Sequence, residues 1–163
     1  MKAIFYATST GNTEEVANKI NEKLTGFELI DISSDGVNKM NECESLVLGV
    51  STWGEGELQD DWEDCFADIQ DINFKDKKVA LFGLGDQESY GHEFVDALGI
   101  MHETLVENNA LIVGQTSTDG YEYEYSKAEV DGKFVGLVVD EDNQEDLTDE
   151  RVENWCNEIK ALL

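Results

Sequence analysis

The 163-residue chain contains no proline, three cysteines, two histidines, and eleven lysines and arginines against 37 aspartates and glutamates. Most of these scarcities close off a class of function. Cys43, Cys65 and Cys156 are odd in number and show no Cys-x-x-Cys spacing, so neither a disulfide framework nor a zinc or iron–sulfur site is expected, and all three read as buried thiols. His92 and His102 have no Ser/His/Asp or metal constellation beside them, and both are expected to face solvent rather than to catalyse. A formal net charge of −26 repels phosphate backbones and anionic membranes, which argues against nucleic-acid or membrane partners and for basic proteins. No stretch approaches the roughly 20 apolar residues of a membrane span. The short apolar run at residues 3–7 is too brief for a signal-peptide core, so a cytoplasmic place is expected. Repeats and low-complexity tracts are lacking, and the length suits one domain over residues 1–163.

What is present is an alternation of two patterns. Residues 3–7 are almost continuously apolar, as in parallel strands covered on both faces, and similar runs recur at 46–50, 79–83, 111–114 and 134–139, with a shorter second strand at 28–32. Between them lie helical stripes: Val16, Ile20 and Leu24; Trp62, Cys65, Phe66 and Ile69; Phe94, Leu98, Met101 and Leu105. A last helix, with Thr148 as its expected N-cap, would bury Val152, Trp155, Ile159 and Leu162. Right-handed crossovers wind such an order into a doubly wound α/β fold, a parallel sheet with helices on both faces. Residues 115–133 break the rhythm with Asp119-Gly120 and Asp131-Gly132 turn signals, and read as an insertion into the last strand.

In such a sheet, ligands sit beyond the carboxyl ends of the strands, so the loops after the first, third and fourth strands matter most. Thr8-Ser9-Thr10-Gly11-Asn12-Thr13 joins the first strand to the first helix, offering hydroxyls and free helix amides to an oxyanion. No lysine stands nearby as in a nucleoside-triphosphate loop, and Gly83-Leu84-Gly85 lacks the third glycine of the dinucleotide fingerprint. The second loop, 51–57, sets Trp53 among glycines and carboxylates, where core packing explains it poorly and stacking on a flat ring explains it well. The third, 83–90, ends in Tyr90, and two aromatics from neighbouring loops can sandwich one heterocycle.

With these three loops, the sequence resembles the long-chain flavodoxin family along essentially its whole length. The resemblance implies a five-stranded parallel sheet in the order 2-1-3-4-5, its last strand interrupted by the 115–133 insertion. It implies bound FMN, with Thr8, Ser9, Thr10, Asn12 and Thr13 at the phosphate and Gly11 needed for its backbone. Trp53 would face the inner side of the flavin and Tyr90 the outer, with Thr52 and Gly54 flanking Trp53. Leu84, Gly85 and Asp86 would meet the pyrimidine side, and Asp142 would approach the ring. The peptide after Gly54 would reorient between redox states. Ser51 and Gly54 depart from the family, which often has proline at the first position and asparagine or another residue at the second.

The function so implied is low-potential one-electron transfer by a monomer, without a general acid, base or nucleophile. Glu55, Glu57, Asp86 and Asp142 would overlook the site and oppose added negative charge. Basic redox partners, such as a ferredoxin/flavodoxin–NADP reductase or a pyruvate oxidoreductase, would dock near Asp60, Asp61, Glu63 and Asp64. Two other readings share the fold: an FMN-dependent quinone reductase, against which Tyr90 stands over the ring, and an apo binding module. A phospho-acceptor regulator would need acidic residues directly after the first strand, where Thr8 and Ser9 stand.

Overall fold

A computed structural model describes residues 1–163. In chain order the elements are β1 (Lys2–Tyr6), α1 (Asn12–Lys23), β2 (Glu28–Asp31), the one-turn α2 (Ile32–Asp35), β3 (Ser45–Trp53), β4 (Glu57–Leu58) and α3 (Asp60–Gln70). There follow β5 (Lys78–Leu84), α4 (Asp96–Glu107), β6 (Leu111–Val113), β7 (Thr116–Ser117), β8 (Glu129–Val130), β9 (Lys133–Phe134), β10 (Leu137–Val139) and α5 (Thr148–Ile159).

The parallel strands run β2-β1-β3-β5, and the free edge of β5 is covered twice: by β6 along its first half and by β10 along its last. The expected order 2-1-3-4-5 therefore holds, with the fifth strand split into two pieces. Between them the insertion forms its own antiparallel sheet, β7-β9-β8.

Alternate residues of each central strand serve opposite faces, which is why these strands read as unbroken apolar runs. Phe5, Leu46, Leu48 and Leu81 pack with Trp62 and Ile69 of α3 and Leu98, Met101 and Leu105 of α4. Ile4, Val47, Ala80 and Phe82 pack with Val16 and Ile20 of α1 and Val152, Trp155 and Ile159 of α5.

Several expectations need correcting. Thr148 does not cap α5; it is the first helical residue, entered from a 3-10 turn at Glu145–Leu147, and its buried hydroxyl donates to Glu141 Oε1 at 2.6 Å. Leu162 lies past the end of α5 and is 45% exposed, because the helix stops at Ile159. Ile32 does not end the second strand but starts α2, whose cap is Asp31, its Oδ1 accepting the Ser33 amide at 2.9 Å. Cys43 and Cys156 are buried and Cys65 half-buried, all free; burial pushes the Cys65 and Cys156 thiols up to about 11.

His92 is exposed and sits 2.8 Å from Glu124 through Nδ1. His102, by contrast, is half-buried on α4, and burial lowers its pKa against the opposing pull of Glu103. A base with a depressed folded pKa binds fewer protons folded than unfolded, so this contribution is intact above about pH 6.5 and is lost as pH falls below it. His102→Gln is therefore expected to flatten the fall in urea-unfolding midpoint between pH 7 and pH 5.5 relative to the parent chain.

Candidate functional site

The ends of β1, β3 and β5 converge on one cleft of about 340 Å³. The loop after β1 is shaped by Gly11, whose φ of +94° is left-handed and whose amide donates to Thr8 Oγ1 at 2.8 Å. The first amide of α1 to find a backbone acceptor is that of Glu15, on Gly11 O, so the amides of Asn12, Thr13 and Glu14 have no backbone partner. These donors, the positive end of the helix dipole and the hydroxyls of Ser9, Thr10 and Thr13 form an anion cradle without a cation.

The loop after β3 folds back as a hairpin, β4 pairing antiparallel with β3 so that Trp53 lies opposite Glu57. Its turn uses positive φ at Gly54 (+53°) and Gly56 (+89°), and a Cβ on Gly56 would fall 2.9 Å from Asp96 Oδ2. Trp53 is 41% exposed, yet its indole is fixed, since Nε1 donates to Ser51 Oγ at 2.9 Å. Thr52 Oγ1 accepts the Ala97 amide at 3.1 Å and ties the hairpin to α4. Gln59, buried before α3, accepts the Asp61 amide at 2.8 Å and donates to Ser9 Oγ at 3.2 Å, joining the first two loops.

The loop after β5 is closed by Asp86, whose Oδ1 accepts the Glu88 and Ser89 amides at 3.1 and 2.9 Å and Asn143 Nδ2 at 2.8 Å. Burial acts to raise the Asp86 carboxyl, but these hydrogen bonds outweigh it and hold the group below its ordinary value, so it is ionised at neutral pH. Asp142 moves the other way, raised by burial and by the neighbouring Asp86 and Asp140 charges. Tyr90 is 52% exposed on the cleft wall. Val95, at φ +48°, holds a left-handed conformation that a β-branched residue seldom adopts, and this folds the 93–95 stretch beneath the cleft.

Twelve of the fourteen expected site residues line this cleft; Thr8 and Gly11 shape its first loop without lining it. Ser51, Glu93, Phe94, Val95 and Glu141 also line it and were not foreseen. Their positions beside Trp53, beyond Tyr90 and beside Asp142 were the only sequence signal. Of the expected carboxylates, Asp86 and Asp142 line the cleft, whereas Glu55 and Glu57 stay exposed on the hairpin outside it; Glu93 and Glu141 stand in the lining instead. No lysine or arginine lines it.

The model of the Flavodoxin family matches residues 4–155. The chain belongs to the flavodoxin family. The flavodoxin of Nostoc sp. is 44% identical over 160 residues, spanning 97% of this chain and 94% of the relative. That of Helicobacter pylori is 43% identical over 158 residues, spanning 97% and 95%. Among solved structures, Fusobacterium nucleatum flavodoxin bound to flavin mononucleotide superposes with a TM-score of 0.96 at 35% identity, covering 99% of this chain and 98% of that one. As a flavodoxin, the chain is an electron-transfer protein that acts with partner oxidoreductases rather than an enzyme in its own right. No helix is long and apolar enough to cross a membrane.

Proposed function

We propose that the chain binds one FMN in this cleft and carries single electrons at low potential between redox enzymes. The observation that carries the reading is the pairing of a cation-free anion cradle with two exposed aromatics on one cleft. The donor set fits the group. Ser9, Thr10, Asn12 and Thr13, with the first amides of α1, suit a phosphate monoester. Trp53 and Tyr90 suit the two faces of a flat ring. Thr52, Gly54, Leu84, Gly85 and Asp86 would border the ring edge, with Asp142 near it, and the cleft volume falls within the usual range for such ligands.

Bound FMN would supply a centre that accepts and releases one electron at a time. The chain's own part is to hold it, exclude water from its faces and set its charge environment. Asp86, Glu93, Glu141 and Asp142 each oppose an added negative charge, by about 1 kcal/mol at 4 Å in bulk water and more in a drier site, which lowers the potential.

Gly54 already lies in the left-handed region, where alanine costs about 1–2 kcal/mol. Gly54→Ala is therefore expected to destabilise the one-electron-reduced state, lowering the first one-electron midpoint potential and raising the second by roughly 40–80 mV each. Unchanged potentials would remove any role for that peptide in redox tuning.

The chain is further proposed to act as a single-domain, cytoplasmic monomer whose acidic surface meets basic partners such as a ferredoxin/flavodoxin–NADP reductase or a pyruvate oxidoreductase. Asp60, Glu63 and Asp64 are exposed at the start of α3 and can steer them. The decisive experiment is a visible spectrum through stepwise anaerobic reduction. A yellow protein that reduces in two separate one-electron steps establishes the carrier. Bleaching in a single two-electron step points to a quinone reductase, and a colourless protein that refuses FMN to a binding module.

A further inference from the structure

The cleft wall that carries Tyr90 is held from behind by groups that do not line the cleft. Gln87, 6% exposed, donates from Nε2 to Asp140 Oδ2 at 2.7 Å, and its amide donates to the same oxygen at 3.1 Å. Its Oε1 accepts the amide of Glu122, in the insertion, at 2.7 Å. Asp140 is fully buried, and its Oδ1 accepts the amides of Asp142 and Asn143 at 3.2 and 3.0 Å. One side chain thus joins the Tyr90 loop, the segment bearing Glu141 and Asp142, and the insertion. A second tie follows: Gly91 O accepts the amides of Glu124 and Tyr125 at 2.8 and 3.0 Å. The 8–13 loop has no hydrogen bond to the insertion.

We propose that Gln87 is a positioning residue of the cofactor site, coupling the insertion at Glu122 to the Asp140 carboxylate and so fixing the Tyr90 wall opposite Trp53. This rests on the FMN reading above. A carboxamide suits the task because one end must donate to a carboxylate while the other accepts from an amide. Methionine has similar length and offers neither; glutamate would set a second carboxylate against Asp140.

The test compares Gln87→Met and Gln87→Glu with the parent chain for FMN and riboflavin affinity and, without cofactor, for amide hydrogen exchange. Both variants are expected to bind FMN and riboflavin about tenfold more weakly, by the same factor for each, because the phosphate loop is untouched. Exchange is expected to quicken at residues 86–93 and 122–125 and to stay unchanged at 9–14. Gln87→Glu alone is expected to regain affinity as pH falls toward 5, where the new carboxyl protonates and can donate again. Unchanged affinities with a lowered thermal midpoint would make Gln87 a purely structural residue and overturn the proposal, as would a loss confined to FMN. Should the parent chain bind neither flavin, the FMN reading fails by itself. The exchange result still decides the coupling: faster exchange in both segments supports it, and unaltered exchange sinks it.

Discussion

Replacing Trp62 by alanine is expected to lower the free energy of unfolding by about 3–5 kcal/mol, the usual cost of emptying a buried aromatic site. Trp62 is 0% exposed on α3, packed against the sheet, and its Nε1 donates to Gly49 O at 2.9 Å in the middle of β3. The substitution removes both the ring and the donor to a buried carbonyl. Set against the 5–15 kcal/mol of a typical domain, that is a large share of the whole. Urea unfolding of the cofactor-free chain measures it, with Trp62→Phe as the control: the phenyl ring fills much of the space, so the loss there should be about 1 kcal/mol, close to the worth of the hydrogen bond. Equal losses in the two variants would mean that the bond to Gly49, not the packing, holds α3 in place.

Trp53→Ala is expected to leave the fold intact and to weaken FMN binding by roughly ten- to a hundredfold. Stacking of a planar heterocycle on an aromatic side chain is worth about 1–3 kcal/mol. Trp53 is large, half in solvent, and already fixed by its bond to Ser51, so little ordering is needed when a ring docks. Ser51→Ala, which frees the indole without removing it, should fall between the parent and Trp53→Ala. Quenching of flavin fluorescence in titrations with FMN and riboflavin reads the effect, and both ligands should suffer alike. A Trp53→Ala variant with unaltered affinity would place the ring elsewhere.

The parallel strands were legible because burial on both faces leaves them no polar alternation, and the insertion because its turn dipeptides interrupt an otherwise regular order. The three loops were legible because their residue types fit poorly with core packing: hydroxyls in a row, a tryptophan between glycines, a tyrosine after an acidic turn. What escaped reading depends on contacts distant in sequence or on unusual backbone. Glu93, Phe94 and Val95 reach the cleft because Val95 turns left-handed, a conformation its β-branched side chain argues against. The Gln59–Ser9 bond spans 50 positions and has no local signature. Glu55 and Glu57 were expected over the cofactor, but both are exposed on the hairpin and neither lines the cleft, although the Glu57 carboxylate lies beside Gly54. Thr148 looked like a cap because threonine often is one; the 3-10 turn ahead of it had no pattern to announce it.

The split edge strand has a consequence for how the molecule can be rebuilt. Val113 ends β6 opposite Ala80 and Leu137 begins β10 opposite Phe82, so a single rung, Leu81, separates the two pieces along β5. At about 3.3 Å per residue this is a gap of roughly 7 Å, which one linking residue can bridge. The whole excursion from Gly114 to Gly136 is therefore a graft on a strand that could run straight through, and trimming it need not move the register of any rung. The ties at Gln87 and Gly91 would go with it. The strand could close, but the core could not stay covered: Ala128, Phe134 and Val135 are buried in the excursion and the Lys127 amide donates to buried Asp96, so the face of α4 and the Tyr90 wall would lose their backing together.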